Sequence, residues 1–283
     1  MKNRNRKRNW RAISWEIVMC AVALLFASPF YILVVMSLKP SPEVFTTSPL
    51  VPSLNPDFTN FVTVFTADAG GAGMGSALLS SVIITVVSVL ILILFGSLCA
   101  YAIARRSGRL SNALYLLFVI GIIVPFQLSI IPLYVVFRPL GLIGTYLGMI
   151  ILWVGVLMPL VVFLYTGFVR SLPRDYEEAA KIDGAGAIRT YWNIVFPLLR
   201  PVTGTVAILA GLFIWNDFFV SLIFLGGSRV QTLPVAIYGF VGEFVSQWNF
   251  VFAAVIIAIL PIAIFFIIAQ RQFIKGFAGG IRG

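Results

Sequence analysis

The sequence predicts an all-α polytopic membrane protein with six transmembrane helices, and three observations predict it. Six apolar runs reach the roughly 20 residues a helix needs to cross a hydrocarbon core of about 30 Å. Apolar residues make up 60% of the 283 positions and charged ones only 11%, with a mean hydropathy of +1.03, too oily a balance for an ordinary water-soluble domain. The lysines and arginines punctuate these runs and gather in alternate connections. The net charge of +10 therefore reads as membrane topology and not as a nucleic-acid footprint.

The runs cover residues 17–38, 77–104, 114–137, 146–169, 202–225 and 250–269. A seventh apolar stretch, 233–245, is shorter and interrupted by Gly239, Gly242 and Glu243, so it reads as a re-entrant or interfacial segment. Seventeen of the 20 basic residues fall in the N-terminus, the second-to-third connection, the fourth-to-fifth connection and the C-terminus; Lys39, Arg138 and Arg229 fall one in each remaining connection. Basic loops stay on the cytoplasmic side, which places both termini there. The chain then divides into a basic cytoplasmic N-terminus (1–16), a six-span domain (17–270) and a cytoplasmic tail (271–283). The first run is too long for a cleaved signal peptide and reads as an uncleaved span.

The connection 39–75 lies outside the membrane on this topology. Its glycine run at 70–75 leads directly into a span and lacks the preceding strand and the spacing of a nucleotide fingerprint, so it reads as a linker. Cys20 and Cys99 sit within apolar runs without metal-ligand spacing and read as packing residues. Histidine is absent, which removes the usual general base and the commonest metal ligand. No catalytic residue, metal site or cofactor of this chain is expected.

Segment 170–201 is the longest internal connection and reads as helix, turn, helix. Pro173 suits a first helical position, and Asp175, Glu177 and Glu178 place negative charge at the positive end of a helix running to about Asp183. Gly184 and Gly186 let the chain reverse. Ile188, Tyr191, Trp192 and Val195 then recur at i, i+3, i+4 and i+7, an apolar stripe aimed at the membrane-side protein, and Pro197 and Pro201 stop that helix. Ala179 and Ala180 permit close backbone approach while Glu178 offers a charge to a basic partner. Those features suit a docking helix, and a surface helix without a partner fits them as well.

Glu178-Ala179-Ala180, then Gly184, then Ile194-Val195-Phe196-Pro197 resembles the EAA loop of ABC importer permeases in residues, spacing and position before the penultimate span. Only Phe196 departs, where the family pattern has leucine. Ile131-Pro132-Leu133-Tyr134, Leu140-Gly141-Leu142 with Thr145, and the glycine-rich tail 276–283 are similar to the shorter permease of carbohydrate importers of the maltose and glycerol-phosphate type. The resemblance implies half of a translocation pathway for a sugar or related solute in a bacterial or archaeal plasma membrane. It implies as partners a related second permease, two ATP-binding cassette ATPases carrying the ATP and magnesium, and an extracytoplasmic solute-binding protein. It also implies an ATPase-coupling role for Glu178, Ala179, Ala180, Asp183, Gly184, Ile194 and Pro197, with the tail near the ATPase dimer.

None of the five lysines follows a glycine, so the P-loop geometry that surrounds phosphates is missing and ATP hydrolysis is assigned to another chain. Inside the spans Asp217 is the acidic residue that needs a partner or water. With Trp215 and Asn216 it either lines a solute cavity, or caps a helix break or meets the partner subunit. Gln127, between Pro125 and Pro132, either faces a cavity at a broken helix or makes an interhelical hydrogen bond. An ion-gradient-driven secondary transporter is the rival reading, and it wants more intramembrane ionisable groups than Asp217. An ABC permease for a non-sugar solute is the narrower alternative.

Overall fold

The computed structural model describes residues 10–66, 73–241 and 247–280, the side chains of 10–12, 265, 266 and 268–280 aside. Five of the N-terminal basic residues, the first half of the glycine run, Gly242, Glu243 and the last three residues lie outside these. Every regular element among the described residues is helical. The chain divides into two compact units, Met1–Ala67 with Ile237–Ile257, and Asp68–Ala236 with Ala258–Gly283.

The first unit holds α1 (Trp10–Ser37), α2 (Ser41–Thr46), α3 (Thr59–Thr66) and the start of α14 (Trp248–Gly280). A buried polar knot organises it. Lys39, fully buried, donates from Nζ to Thr47 Oγ1 at 2.6 Å and to the Ser48 carbonyl at 2.7 Å. The Asn60 amide donates to the carbonyls of Ser37 and Lys39, and the Asn249 amide donates to Asn60 Oδ1 at 3.0 Å and to Ser41 Oγ at 3.1 Å. Buried polar groups are stable when satisfied in this way. Cys20 is exposed on α1 and Cys99 part-buried, so within this chain the packing reading fits Cys99 alone.

The second unit is built on α4 (Met74–Arg105) packed along α7 (Tyr146–Ser171). A Cβ at Gly96 would overlap Val161 Cγ1; the missing side chain lets the two backbones approach, the way helices pack where lipid offers no hydrophobic drive. Val162, Tyr165, Val169 and Leu92 are fully buried along this seam. Gly121 of α5 (Arg109–Ile123) lies beside Pro159. The Tyr165 hydroxyl donates to Thr203 Oγ1 at 2.9 Å, fixing α11 (Arg200–Trp215) to α7.

Two expected spans are broken. The run 114–137 becomes α5, a 3₁₀ turn Phe126–Ser129 and α6 (Ile130–Phe137), bent by 89°. Pro125 supplies the reason: it has no N–H for the helical ladder and holds Val124 extended at φ −67°, ψ 122°. The run 202–225 becomes α11 and α12 (Phe219–Leu225), separated at Asn216–Phe218. Among the described residues three helices are long and apolar enough to cross a membrane, or up to five if each bent pair counts once, and Trp248–Ile264 is a shorter apolar helix. The stretch 233–245 begins as the short helix α13 (Leu233–Tyr238), whose Leu233 N–H donates to Ser81 Oγ at 2.8 Å. Helix α14 runs to Gly280, into the segment set apart by sequence as the tail.

The motif around Gly141 is the turn between α6 and α7. Gly141 and Gly144 adopt φ +67° and +74°, and the Gly144 N–H reaches the Phe224 carbonyl at 2.8 Å. Thr145 caps α7 by accepting from the Gly148 N–H at 3.0 Å, with Leu142 so close that a Cβ at Gly148 would overlap its carbonyl oxygen. Replacing Gly148 with alanine is therefore expected to cost about 1–3 kcal/mol. Thermal unfolding of the purified protein checks this, with Gly155→Ala, where a Cβ meets nothing within 4 Å, expected to leave the midpoint nearly unchanged.

Candidate functional site

The loop between α7 and α11 opens with α8 (Asp175–Ile182). Its acidic first turn, Asp175, Glu177 and Glu178, and Lys181 in its last turn both oppose the helix dipole. The helix ends in a left-handed cap at Gly184, φ +76°: the Gly184 N–H meets the Lys181 carbonyl at 3.0 Å and the Ala185 N–H meets the Ala180 carbonyl at 2.9 Å. Gly184 alone makes this turn, since Gly186 sits at φ −71°, a value open to any residue. Of the two glycines expected to let the chain reverse, Gly184 is the one that uses a left-handed conformation.

The chain continues through α9 (Ala187–Thr190), a π turn Tyr191–Val195 and α10 (Phe196–Leu198), then bends by 72° into α11. Pro197 and Pro201, each in the first turn of its helix, sit where a missing N–H is tolerated. In the π turn the Phe196 N–H bonds the Tyr191 carbonyl, an extra residue that rotates the face presented. The predicted stripe is only half inward. Tyr191 and Val195 are buried at 2% exposure, while Ile188 is 78% and Trp192 39% exposed.

The coupling residues divide by face. Glu178, Ala179, Asp183 and Gly184 are exposed, Ile194 and Pro197 are half-buried, and Ala180 is buried against the body of the protein. Close approach by another protein is thus open at Ala179 and closed at Ala180, which the sequence reading had paired. Ile182, one turn after Glu178, stands exposed and adds apolar surface to the outward face, and Tyr176 is exposed as well.

Sequence reasoning missed the inward face. Glu177 is 9% exposed; its Oε1 meets Arg105 Nε at 2.6 Å and its Oε2 accepts from the Tyr101 hydroxyl at 2.9 Å. Arg105 also donates from Nη2 to the Leu172 carbonyl at 3.1 Å. Tyr101, Arg105, Arg174, Glu177, Glu178 and Lys181 line a polar cleft of about 260 Å³. Higher up α4, Ser97 Oγ and Tyr191 Oη lie 2.7 Å apart, and the Tyr101 and Tyr191 rings are 5.2 Å apart. Burial pushes the Tyr191 phenol above its ordinary value, with the Ser97 hydrogen bond opposing, so it stays a neutral hydroxyl. Arg170 caps the Tyr115 ring at 4.5 Å. The single sequence hint to the inward face was Arg105 itself, a charge closing an apolar helix.

The residues considered for a solute path fall on two elements. Gln127 is exposed in the 3₁₀ turn and makes no side-chain hydrogen bond among the described residues. Trp215 closes α11 and donates from Nε1 to the Ala258 carbonyl at 3.3 Å, and Asn216 folds back onto the Leu212 carbonyl. The Asp217 carboxylate accepts from the Val220 and Ser221 N–H groups at 3.1 and 2.8 Å and from the Ser221 hydroxyl at 2.8 Å, capping α12. Trp215, Thr85, Val89, Gly211 and Pro261 contribute to an apolar cavity of about 380 Å³.

With this geometry in place, comparison with known proteins is informative. The family model described as binding-protein-dependent transport system inner membrane component matches residues 92–278, from the middle of α4 through the loop into α14. The melibiose/raffinose/stachyose import permease MelC of Bacillus subtilis is 38% identical over 276 residues, covering 97% of both chains. The probable starch degradation products transport permease AmyC of Thermoanaerobacterium thermosulfurigenes is 37% identical, covering 92% of each. A chain of a bacterial ABC transporter involved in the import of the acidic polysaccharide alginate superposes with a TM-score of 0.80 at 20% identity, over 96% of this chain and all of that one, which establishes the shared fold. Loop, fold and relatives agree, and the chain belongs to the family of binding-protein-dependent transport inner membrane components, the membrane-spanning permeases of ABC importers.

Proposed function

We propose that this permease forms half of an ATP-driven import pathway for a sugar or related solute, paired with a related second permease and served by an extracytoplasmic binding protein. Energy comes from two separate ATPase subunits, which seat α8 through its exposed Glu178, Ala179, Tyr176 and Ile182. The observation that carries this reading is the two-faced α8: one side fastened inward through Glu177, the other left open with a carboxylate beside apolar side chains. The import roles in the names of the relatives, melibiose, raffinose and stachyose in one and starch degradation products in the other, support a sugar-like cargo. The alternating basic connections support six crossings with both termini cytoplasmic.

Coupling works by closure of the ATPases on ATP displacing α8 and exchanging inward- and outward-facing states of the pathway. The carboxylate of Asp217 serves the fold: it satisfies two backbone N–H groups at a break in a span, where lipid offers no substitute.

A cysteine at Ala179 should crosslink to a cysteine in the ATPase, read by gel shift of the assembled complex; failure at every tested ATPase position overturns the docking assignment. Asp217→Asn, whose single amide oxygen keeps only part of the bonding shared by the two carboxylate oxygens, should assemble and transport with a modestly lowered unfolding midpoint. Asp217→Ala should lose about 1–2 kcal/mol with the cap, measured as a lowered unfolding midpoint. Lost uptake with normal assembly in Asp217→Asn would instead place this side chain in the solute's path.

A further inference from the structure

We propose that Glu177 is a positioning residue: with Arg105 and Tyr101 it fastens α8 to the end of α4, so that force applied to the outward face of α8 moves α4. The proposal rests on the docking reading above and adds to it where the force goes next. Neighbouring residues on a helix point about 100° apart, which lets Glu177 and Glu178 take opposite duties. Glu178 faces out. Glu177 faces in, and both of its oxygens are engaged, one by the Arg105 guanidinium at 2.6 Å and one by the Tyr101 hydroxyl at 2.9 Å.

Two further features make the contact a joint and not an incidental ion pair. Each side chain is only 12% exposed, so the pair is little screened by salt and removing either partner strands a charge. The guanidinium also holds the Leu172 carbonyl at 3.1 Å, the residue that ends α7, so one group grips the end of α7 and the start of α8 together.

On α4 the receiving residues are Ser97, Tyr101 and Arg105, spaced i, i+4 and i+8 and therefore within a sector of about 80°. Glu177 from the first half of the loop meets the lower two. Tyr191 from the second half meets Ser97 at 2.7 Å and lies ring to ring with Tyr101 at 5.2 Å. Both halves of the loop thus reach one face of one helix across successive turns, on either side of the Gly184 reversal. A push on α8 cannot be absorbed by rotation at Gly184 without breaking these contacts. Further along, α4 lies against α7 at Gly96 and Val161, which carries the displacement into the seam of the unit.

The complete complex, with its ATPases and binding protein, is reconstituted in lipid vesicles, and ATP hydrolysis and solute uptake are measured on the same vesicles. Glu177→Gln should keep the ATPases bound and ATP hydrolysis near wild type while solute moved per ATP falls about tenfold, the scale on which a hydrogen bond to a charged group acts. Arg105→Lys and Tyr101→Phe should fall less, and the exchanged pair Glu177→Arg with Arg105→Glu should regain part of the ratio lost by Glu177→Arg alone. An unchanged ratio in Glu177→Gln and Tyr101→Phe overturns the proposal. So do equal losses of hydrolysis and uptake with a lowered unfolding midpoint, which would make the contact merely structural, or loss of the ATPases, which would make Glu177 a docking residue. Where the Glu177→Gln permease itself does not fold, Tyr101→Phe, which removes one hydroxyl, decides by the same ratio. Failure of the docking reading itself shows separately, as absence of every Ala179→Cys crosslink.

Discussion

The close approach of α4 to α7 is the constraint from which the second unit is built. In lipid the apolar surface of a helix gains nothing by leaving its surroundings, so association depends on backbone proximity and on hydrogen bonds between helices. Gly96 beneath Val161 supplies the first, and the surrounding contacts supply the second. Tyr165 draws Thr203 of α11 to the seam, Ser81 of α4 holds the start of α13, and Ser80 meets the Tyr146 hydroxyl at 2.9 Å. A bulkier residue at 96 would push apart the two surfaces to which each of these bonds refers.

Breaks in the helices are the second organising device. Where the backbone leaves helical geometry inside a span its polar groups must be satisfied by the protein. The two breaks solve this differently. At Pro125 the chain omits a donor and continues through a 3₁₀ turn. At Asn216–Phe218 it provides an acceptor, the Asp217 carboxylate, for the amides of the next helix. A charge that composition alone marks as a conspicuous oddity is the group that satisfies the amides at the break.

How far these features were legible in the sequence depends on the separation of the residues that make them. The loop's docking helix was readable because its signals are local: acidic residues at the start, a glycine four positions past Ala180, prolines at the far end. The bend at Pro125 had its proline in plain view, whereas the break at Asn216–Phe218 has none and was offered only as one alternative for Asp217. The joint at Glu177 was hidden because Arg105 lies 72 residues earlier, and no periodicity links the two. The outward turn of Ile188 was hidden for a subtler reason: the four residues form two i, i+4 pairs on adjacent faces, and only tertiary packing decides that Tyr191 and Val195 turn inward while Ile188 and Trp192 do not.

The knot around Lys39 bears on how the polypeptide is made. Asn249 bonds Ser41 across 208 positions and Asn60 across 189, so the first unit draws on residues from both ends of the message. As the ribosome delivers α1 and the connection after it, Asn60 can already close onto Ser37 and Lys39, while its side-chain oxygen waits for an amide not yet synthesised. The N-terminal unit is therefore completed only after most of the second unit has emerged, and a truncated product ending before α14 leaves the Asn60 acceptor unmet.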